Sequence, residues 1–327
     1  MSQRPVDKAF EPRARASAQP AAARGPLAAV IAAAEQVVFG KTTEIRLALA
    51  CLLARGHLLI EDLPGVGKTT LAHLLARLVG LDYKRVQFTS DLLPADVLGA
   101  YVYERDAARF RFHPGPVFTH LVLADEINRA TPRAQSALLE AMEERQVTIE
   151  NETHPLPDPF FVIATQNPAE QVGTFPLPES QLDRFLMCLS LGYPDRRAER
   201  ALLAASDRRV ALAEMAPVLS REELIALQAR VTTVHVADPL LDYVQDVVDY
   251  SRRAPEFGVG LSPRAALALL RAARAWALID GRGHVLPDDV QAVLPSVAVH
   301  RLRPADGGRA LDVQALRERL LAAVPIP

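Results

Sequence analysis

Residues 61–70 read Glu61-Asp-Leu-Pro-Gly65-Val-Gly67-Lys68-Thr69-Thr70 and follow the apolar run His57-Leu-Leu-Ile60. This order predicts a buried strand, a phosphate-binding loop and a leucine-rich helix. Because Gly65 and Gly67 lack Cβ atoms, the backbone can wrap closely around a phosphate and direct its N–H groups at it. We expect Lys68 to neutralise the β- and γ-phosphates and the Thr69 hydroxyl to coordinate Mg²⁺, with the positive end of the helix behind them.

The loop departs from the usual phosphate-binding pattern at one position. The first glycine of that pattern stands six residues before the lysine, and Asp62 occupies this position here. An alternative interpretation is a Gly/Pro turn followed by a lysine that happens to begin a helix. Because a nucleotide site also needs acidic partners further along the chain, their presence distinguishes the two interpretations.

Two adjacent acids end a second apolar run, His120-Leu-Val-Leu-Ala-Asp125-Glu126. This run predicts a buried parallel strand with carboxylates at its C-terminal tip. Asp125 would then hold Mg²⁺ through its water shell, while Glu126 would orient and deprotonate the attacking water. The acids could instead only cap the next helix. Since both motifs occur in one chain, 57 positions apart, with room for two helices and a strand between them, we favour the nucleotide site.

Three further polar side chains stand where strands or helices end. Asn167 follows the apolar strand 160–165, where an amide can hydrogen-bond the attacking water or the γ-phosphate without adding charge. Arg184 ends a short helix among apolar neighbours, and Arg264 follows the helix start Ser262-Pro263. Each could instead be a strand cap, a surface ion pair or a solvated helix face. Because Arg264 lies on a separate downstream unit, we expect it to reach the nucleotide only when the two units close.

The apolar runs predict an α/β fold with a separate helical unit. Five strands, interleaved with helices, indicate a five-stranded parallel sheet. They are expected near 57–62, 84–89, 121–124, 160–165 and 186–191. Alternating residues within 99–112 and over 147–156 predict two projecting hairpins. After Ser220 only helical patterns follow, which predicts a helical lid without strands.

The same patterns predict how the chain is divided. The expected units are a disordered N-terminal tail over 1–26, an α/β core over 27–193, a linker over 194–216 and a helical lid over 217–327. The tail is rich in Ala, Arg, Pro and Gln and has no apolar periodicity.

Composition argues against several classes of protein. The net charge is −2 and the pI is about 6.5, so no overall positive field attracts nucleic acid. Cys51 and Cys188 lie in apolar segments and are predicted to be buried, reduced thiols, which indicates a cytoplasmic protein. The eight histidines lack the spacing of metal ligands, so no bound transition metal is expected. The sequence has no run of about eighteen apolar residues, so no membrane span is predicted.

These motifs together resemble the MoxR-type AAA+ ATPases, over about residues 27 to 325. The resemblance rests on Gly65-Val-Gly67-Lys68-Thr69, Asp125-Glu126-Ile-Asn128-Arg129, Thr165-Gln-Asn167-Pro168, Leu182-Asp183-Arg184-Phe185 and Ser262-Pro263-Arg264. Longer stretches strengthen it, namely Gln87-Phe-Thr-Ser-Asp-Leu-Leu-Pro94, Phe112-His-Pro-Gly-Pro-Val-Phe118 and Gln135-Ser-Ala-Leu-Leu-Glu-Ala-Met-Glu-Glu-Arg-Gln-Val147.

The resemblance implies a P-loop AAA+ core, an all-helical lid and a role for each motif. Lys68 and Thr69 would be the Walker A pair, and Asp125 and Glu126 the Walker B pair, with Mg²⁺ at Thr69 and Asp125. Asn167 would be sensor 1, Arg184 the arginine finger and Arg264 sensor 2, and these three would join Glu126 in catalysis. The ATP-binding residues would be Val38, Phe39, Gly40, Pro64, Gly65, Val66, Gly67, Lys68, Thr69 and Thr70. The first three would line the adenine pocket, although a hydrophobic helix-breaking corner is an equally compatible interpretation.

The resemblance also implies a ring, usually a hexamer, that remodels protein clients, often metalloenzymes or proteins with a von Willebrand factor A domain. The alternative is an AAA+ motor that works on nucleic acid or in transcription regulation. Against it, Gly99-Ala-Tyr-Val-Tyr103 stands in place of the Gly-Ala-Phe-Thr-Gly-Ala loop, no helix-turn-helix follows the lid, and the second hairpin carries Glu150 and Glu152. A switch that binds ATP without hydrolysis conflicts with the intact Glu126. We therefore expect a remodelling ATPase.

Overall fold

In the computed structural model of the protein, the apolar runs form strands and the helical patterns form helices. The structure describes residues 25–167, 173–204, 212, 214–305 and 313–326. The strands are β1 (Leu58–Glu61), β2 (Tyr83–Gln87), β3 (Gly99–Glu104), β4 (Arg109–Pro114), β5 (Leu121–Asp125), β6 (Gln146–Ile149), β7 (Glu152–Pro155), β8 (Phe161–Gln166), β9 (Met187–Leu189), β10 (Phe257–Val259) and β11 (Arg303–Pro304). The helices are α1 (Pro26–Glu35), α2 (Thr42–Leu53), α3 (Lys68–Leu78), α4 (Pro94–Leu98), α5 (Pro132–Glu144), α6 (Glu179–Leu182), α7 (Arg196–Ala204), α8 (Arg221–Thr233), α9 (Asp238–Arg253), α10 (Pro263–Ile279), α11 (Pro287–Ala298) and α12 (Val313–Ala323).

The central sheet has the strand order β2-β5-β8-β1-β9, and every pair of neighbours is parallel. The two faces of the sheet belong to different hydrophobic clusters. Leu58 and Ile60 of β1 pack into one cluster and Leu59 into the other, and all three are fully buried. A sheet covered on both faces explains why its strands are continuous apolar runs rather than alternating ones. The predicted five-stranded parallel sheet is confirmed.

The strand order brings three loops together. β8 lies between β5 and β1, so the carboxyl ends of these strands share one edge of the sheet. The segments that leave this edge are the phosphate-loop candidate after β1, the two acids at the end of β5 and Asn167 after β8. Ligands of open parallel sheets bind at this edge.

Two hairpins extend from the sheet and touch each other. β3 pairs antiparallel with β4, and β6 pairs antiparallel with β7, as the alternating patterns predict. The Phe112 ring of the first hairpin stacks on the His154 ring of the second, with centroids 4.1 Å apart. The Tyr101 hydroxyl also donates a hydrogen bond to the Glu152 carboxylate.

The C-terminal helices pack against α2 and the edge strand β9. One contact crosses deep inside the molecule, where the buried Gln228 amide donates to the Leu52 carbonyl oxygen at 2.8 Å. The prediction that this part has no strands is wrong, because β10 pairs antiparallel with β11. Both strands are too short to show a period of two in the sequence.

Parts of the predicted division lie outside the described residues. Residues 1–24 of the predicted tail are among these, and α1 already begins at Pro26. The predicted linker contains α7, and the boundaries of the core, linker and lid stay predictions. Cys51 and Cys188 are buried and unpaired, as expected. None of the helices in the described residues is both long and apolar enough to cross a membrane.

Candidate active site

The loop between β1 and α3 has the conformation that its glycines permit. Gly65 and Gly67 have φ angles of 84° and 101°, values that residues with a Cβ atom rarely adopt. Lys68 is the first residue of α3, and its Nζ donates to the carbonyl oxygens of Asp62 (2.6 Å) and Gln166 (3.3 Å). The lysine ammonium is thereby fixed between the ends of β1 and β8.

Asp62 braces this loop. Its carboxylate is buried, and Oδ2 accepts hydrogen bonds from the N–H groups of Leu191 (2.5 Å) and Gly192 (2.6 Å) and from the Ser190 hydroxyl (3.1 Å). Oδ1 accepts from the N–H group of Leu63 at 2.8 Å. The residue that replaces the usual glycine therefore ties the loop after β1 to the chain that leaves β9.

A cavity of about 360 Å³ opens beside the loop. Its lining comprises Val38, Phe39, Lys41, Pro64, Gly65, Val66, Gly67, Thr70, Gly192, Tyr193, Pro194, Glu199, Leu202 and Leu203. We call it the P-loop cavity. It joins the apolar corner before α2 to the phosphate loop, and its volume suits a nucleotide-sized ligand. That Val38 and Phe39 line an adenine pocket stays a prediction. Gly40 does not line it; its backbone approaches α7, where a Cβ atom would come within 3.1 Å of the Ala198 side chain.

Asp125 ends β5 with both carboxylate oxygens hydrogen-bonded. Oδ1 accepts from the Thr165 hydroxyl at 2.6 Å, and Oδ2 accepts from the Arg85 guanidinium at 2.6 and 3.0 Å. The side chain is nearly inaccessible. The arrangement fits a carboxylate that holds Mg²⁺ through water, because its oxygens already have partners in the protein.

Glu126 has the left-handed backbone conformation, with φ 56°. Such a conformation is strained for a residue with a Cβ atom and is often found at functional sites. Its N–H group donates to the Thr165 hydroxyl at 2.8 Å. Its carboxylate accepts from the Gln87 amide at 2.7 Å and from the Arg129 guanidinium at 3.0 Å. One neutral donor and one cationic donor thus hold the carboxylate, which stays partly accessible to water.

Asn167 follows β8 and is buried. Because β8 lies between β1 and β5, this residue stands between the phosphate loop and the acidic pair, as predicted.

Arg184 and Arg264 meet across Glu143 rather than at the P-loop cavity. Arg184 Nη2 lies 3.1 Å from Glu143 Oε2, and Arg264 donates to the other oxygen of the same carboxylate. Arg184 also donates to the Leu139 carbonyl oxygen at 2.8 Å. In this arrangement Arg264 lies at Glu143 and not at the nucleotide site of its own subunit, and its approach to a nucleotide when the two units close stays a prediction. Because the C-terminal helices pack on α2 and β9, α10 begins beside the end of α5.

These two arginines line a second cavity of about 220 Å³, which we call the arginine cavity. Its lining comprises Arg55, Gly56, His57, Met142, Glu143, Arg145, Asp183, Arg184, Leu186, Arg264, Ala268, Arg271 and Arg301. Six guanidinium groups face two carboxylates, so positive charge is in clear excess. Burial lowers the pKa of His57 to about 4, with the Arg145 and Arg271 charges acting in the same direction, so this histidine is neutral at pH 7. The cavity suits an anionic group.

Comparisons with known proteins identify the family. Residues 57–187 match the ATPase family associated with various cellular activities (AAA), and residues 250–318 match the AAA lid domain. An uncharacterized protein, YeaC, of Bacillus subtilis is 45% identical over 294 residues, which cover 89% of this chain and 92% of that protein. Chaperone MoxR1 of Mycobacterium tuberculosis is 42% identical over 277 residues, which cover 82% of this chain and 73% of that protein. The chain belongs to the MoxR family of AAA+ ATPases. As a member of an ATPase family it binds and hydrolyses ATP.

The same fold is also seen in a solved structure. The crystal structure of a candidate ATPase from Cytophaga hutchinsonii superposes with a TM-score of 0.82 at 36% identity, and the match covers 93% of this chain and 96% of that one. The fold class predicted from the sequence, a P-loop AAA+ core with a C-terminal helical lid, is therefore confirmed, apart from the short β10–β11 pair.

Several residues of this MoxR-family site were not predicted from the sequence. Thr165 bridges Asp125 and Glu126, while Arg85, Gln87 and Arg129 hold the two carboxylates. Arg85 and Gln87 could have been found, because they are two of the last three residues of β2, which neighbours β5 in the sheet. Nothing in the local sequence points to the other residues of the arginine cavity, which come together only in three dimensions.

Proposed function

We propose that ATP is hydrolysed at the edge formed by β1, β5 and β8, in a ring whose subunits supply arginines to one another. The observation that carries this proposal is the position of Asp125 and Glu126, two carboxylates at the tip of the buried strand β5. Only β8 separates this strand from β1, which leads into the phosphate loop.

The phosphate loop supplies the binding contacts. Backbone N–H groups around Gly65 and Gly67, together with the N-terminal end of α3, would receive the phosphates, and Lys68 would exchange its carbonyl partners for phosphate oxygens. Thr69 and Asp125 would hold Mg²⁺, which would neutralise charge on the phosphate oxygens when it is bound. Val38 and Phe39 would cover the adenine.

Glu126 would accept the proton of the attacking water. Gln87 and Arg129 both donate to Oε2, so the other oxygen, Oε1, can take this proton while the carboxylate stays held. Asn167 would hydrogen-bond the water or the γ-phosphate from the neighbouring strand end. The strained backbone at Glu126 supports this assignment, because strain of this kind persists where the surrounding structure fixes a side chain for function.

Arg184 and Arg264 would act on the nucleotide of the neighbouring subunit. Among the described residues, the linings of the arginine cavity and the P-loop cavity share no member. Both arginines are paired with one carboxylate, Glu143, and a triphosphate of higher charge would compete for them. A ring, with six subunits in the family's usual form, would place this cavity against the neighbour's nucleotide.

The ring would use hydrolysis to remodel protein clients. The name of the relative Chaperone MoxR1 supports this direction, and the net charge of −2 gives no support to nucleic acid as the substrate. Metalloenzymes and proteins with a von Willebrand factor A domain stay the predicted client classes.

Two substitutions test the proposed roles within one site. Glu126→Gln should retain ATP affinity and lose roughly 10²–10⁴-fold in kcat, because only the proton acceptor is removed. Lys68→Ala should weaken ATP binding itself, because a charge-assisted phosphate contact is lost. ATP affinity is measured by titration calorimetry and turnover by phosphate release. Equal losses of affinity in both variants would contradict the division of roles.

A further inference from the structure

Arg301 connects the C-terminal helices to the loop that carries Arg184. It follows α11, and its side chain is 4% exposed. Nε donates to Asp183 Oδ1 at 2.6 Å, and Nη2 donates to the carbonyl oxygens of Phe185 (2.6 Å) and Asp183 (3.2 Å). Nη1 donates to the Leu186 carbonyl oxygen at 3.2 Å and to the carbonyl oxygen of Val297 in α11. All five N–H donors of the guanidinium are therefore used, four of them on residues 183–186.

Two further residues of the helical part hold the same loop. The Ser262 hydroxyl donates to Asp183 Oδ2 at 3.0 Å. His300 Nε2 lies 3.1 Å from the Phe185 carbonyl oxygen. Burial and the Arg301 charge lower the pKa of His300 well below its usual value, so the ring is neutral and Nε2 carries the proton that it donates.

These contacts fix Arg184 and Arg264 relative to each other. Asp183 and Phe185 flank Arg184, so its backbone is held on both sides by the C-terminal helices. Ser262 is also the N-cap of α10, where its hydroxyl accepts from the Ala265 N–H group at 3.0 Å, and Arg264 is in the first turn of that helix. One set of hydrogen bonds thus sets the positions of Arg184 and Arg264 together.

We propose that Arg301 is a positioning residue for hydrolysis in the neighbouring subunit. It binds the Arg184 loop to the C-terminal helices, so that Arg184 and Arg264 meet the neighbour's nucleotide in one fixed arrangement. The inference rests on the proposed function, because it needs Arg184 to act across the subunit boundary.

Packing alone does not account for an arginine at this position. A buried ion pair is weak evidence for a role in stability, because apolar residues of similar volume can often replace both partners without loss of stability. The contacts of Arg301 instead converge on the four residues that include Arg184. Arg303, two positions later, offers a comparison: its guanidinium also reaches from the C-terminal part to the core, 3.0 Å from Glu179, but this pair is more than half exposed and lies outside the Arg184 loop.

The first measurement is the steady-state kinetics of ATP hydrolysis in full-length protein. Arg301→Met should lose on the order of 10²-fold in kcat, because misplacing a catalytic group by about 1 Å costs this much, with KM changed by less than about threefold. Arg301→Lys, which keeps the charge near Asp183 but has fewer donors, should fall between Arg301→Met and the natural protein. Arg303→Met is the matched control and should stay within about twofold, as expected for an exposed ion pair.

The second measurement separates positioning from a general loss of structure. A subunit with Arg301→Met keeps an intact ATP site of its own, so mixing it with Glu126→Gln subunits, whose arginines are intact, should restore turnover. Mixing it with Arg184→Ala should restore none, because neither subunit then offers a competent arginine. If Arg301→Met does not fold, Arg301→Lys enters the same two mixtures.

The outcomes separate this inference from the proposed function. If Arg184→Ala hydrolyses ATP normally, the proposed function fails. If Arg184→Ala loses turnover while Arg301→Met and Arg301→Lys keep kcat within about twofold, Arg301 is not a positioning residue. An Arg301 variant that loses turnover and is not rescued by Glu126→Gln also overturns the inference, since the defect then lies within its own site.

Discussion

The P-loop cavity and the arginine cavity are built from different parts of the chain and carry different chemistry. The first lies between the phosphate loop, with its glycines and the neighbouring Lys68, and apolar side chains from the segment before α2 and from α7. The second gathers guanidinium groups from the core and from the C-terminal helices around two carboxylates. The first can hold a nucleotide within one subunit, whereas the second has an excess of positive charge that an anion from outside would balance. The difference supports our proposal that catalysis is shared between subunits.

Arg184→Ala should have the largest effect on this comparison. If the arginine cavity completes the neighbour's site, the variant should bind ATP with unchanged affinity and lose about 10³-fold or more in kcat, as other NTPases do without their arginine finger. Titration calorimetry and phosphate release measure the two quantities. Arg303→Met, which removes an exposed arginine paired with Glu179, is the control. A weakened ATP affinity in Arg184→Ala would place the arginine at its own subunit's nucleotide.

Asp62→Gly tests how the P-loop cavity is held together. The substitution restores the usual motif glycine, yet it should destabilise the protein by about 3 kcal/mol, because the buried N–H group of Leu191 and the partly buried N–H group of Gly192 lose their acceptor. Urea unfolding measures the change. Asp106→Gly, in the exposed turn between β3 and β4, is a control for the added backbone freedom. An Asp62→Gly variant as stable as the natural protein would show that the brace is dispensable.

The buried histidines beside the arginine cavity predict a pH dependence. The pKa of His57 is lowered to about 4, so the unfolded chain binds this proton more readily than the folded protein between pH 6.5 and 4. Stability is therefore lost as the pH falls through this range, by about 2 kcal/mol between pH 7 and pH 5 for His57 alone. His300, whose pKa is also lowered, adds a loss in the same direction.

Urea unfolding at pH 7 and pH 5 measures this dependence. His57 accepts from the Val162 N–H group at 3.0 Å and lies 3.1 Å from the Met142 carbonyl oxygen, and His57→Gln offers an acceptor and a donor for these two groups without titrating. The variant should lose about 2 kcal/mol less than the natural protein between the two pH values. An identical loss in both proteins would show that His57 does not stay neutral in the folded state.

The contrast between the cavities also explains how much could be predicted from the sequence. The phosphate loop and the acidic pair are each built from consecutive residues, and the parallel sheet brings strand ends together by a general rule. Gly65, Lys68, Asp125 and Glu126 could therefore be assigned to this edge of the sheet from their local order.

Other features depend on contacts between distant residues. Asp62 looks like a departure from the motif until its bonds to Leu191 and Gly192, about 130 positions away, are known. Arg264 reaches Glu143 because the C-terminal helices pack on α2 and β9. The periodicity of the sequence predicts these helices but not where they pack. The β10–β11 pair was missed for a different reason, since strands of three and two residues carry no pattern.

The central claim is that the arginine cavity serves the nucleotide of a neighbouring subunit, and mixed rings test it most directly. Arg184→Ala and Glu126→Gln should each be nearly inactive alone. In a mixture, an Arg184→Ala subunit with its intact Glu126 can lie next to a Glu126→Gln subunit with its intact Arg184, and that site should turn over ATP. Native mass spectrometry verifies that mixed rings form, and phosphate release is measured across the mixing ratio. The account predicts activity that is absent from both pure proteins and is largest at intermediate ratios. Stable mixed rings without such activity would show that Arg184 acts within its own subunit.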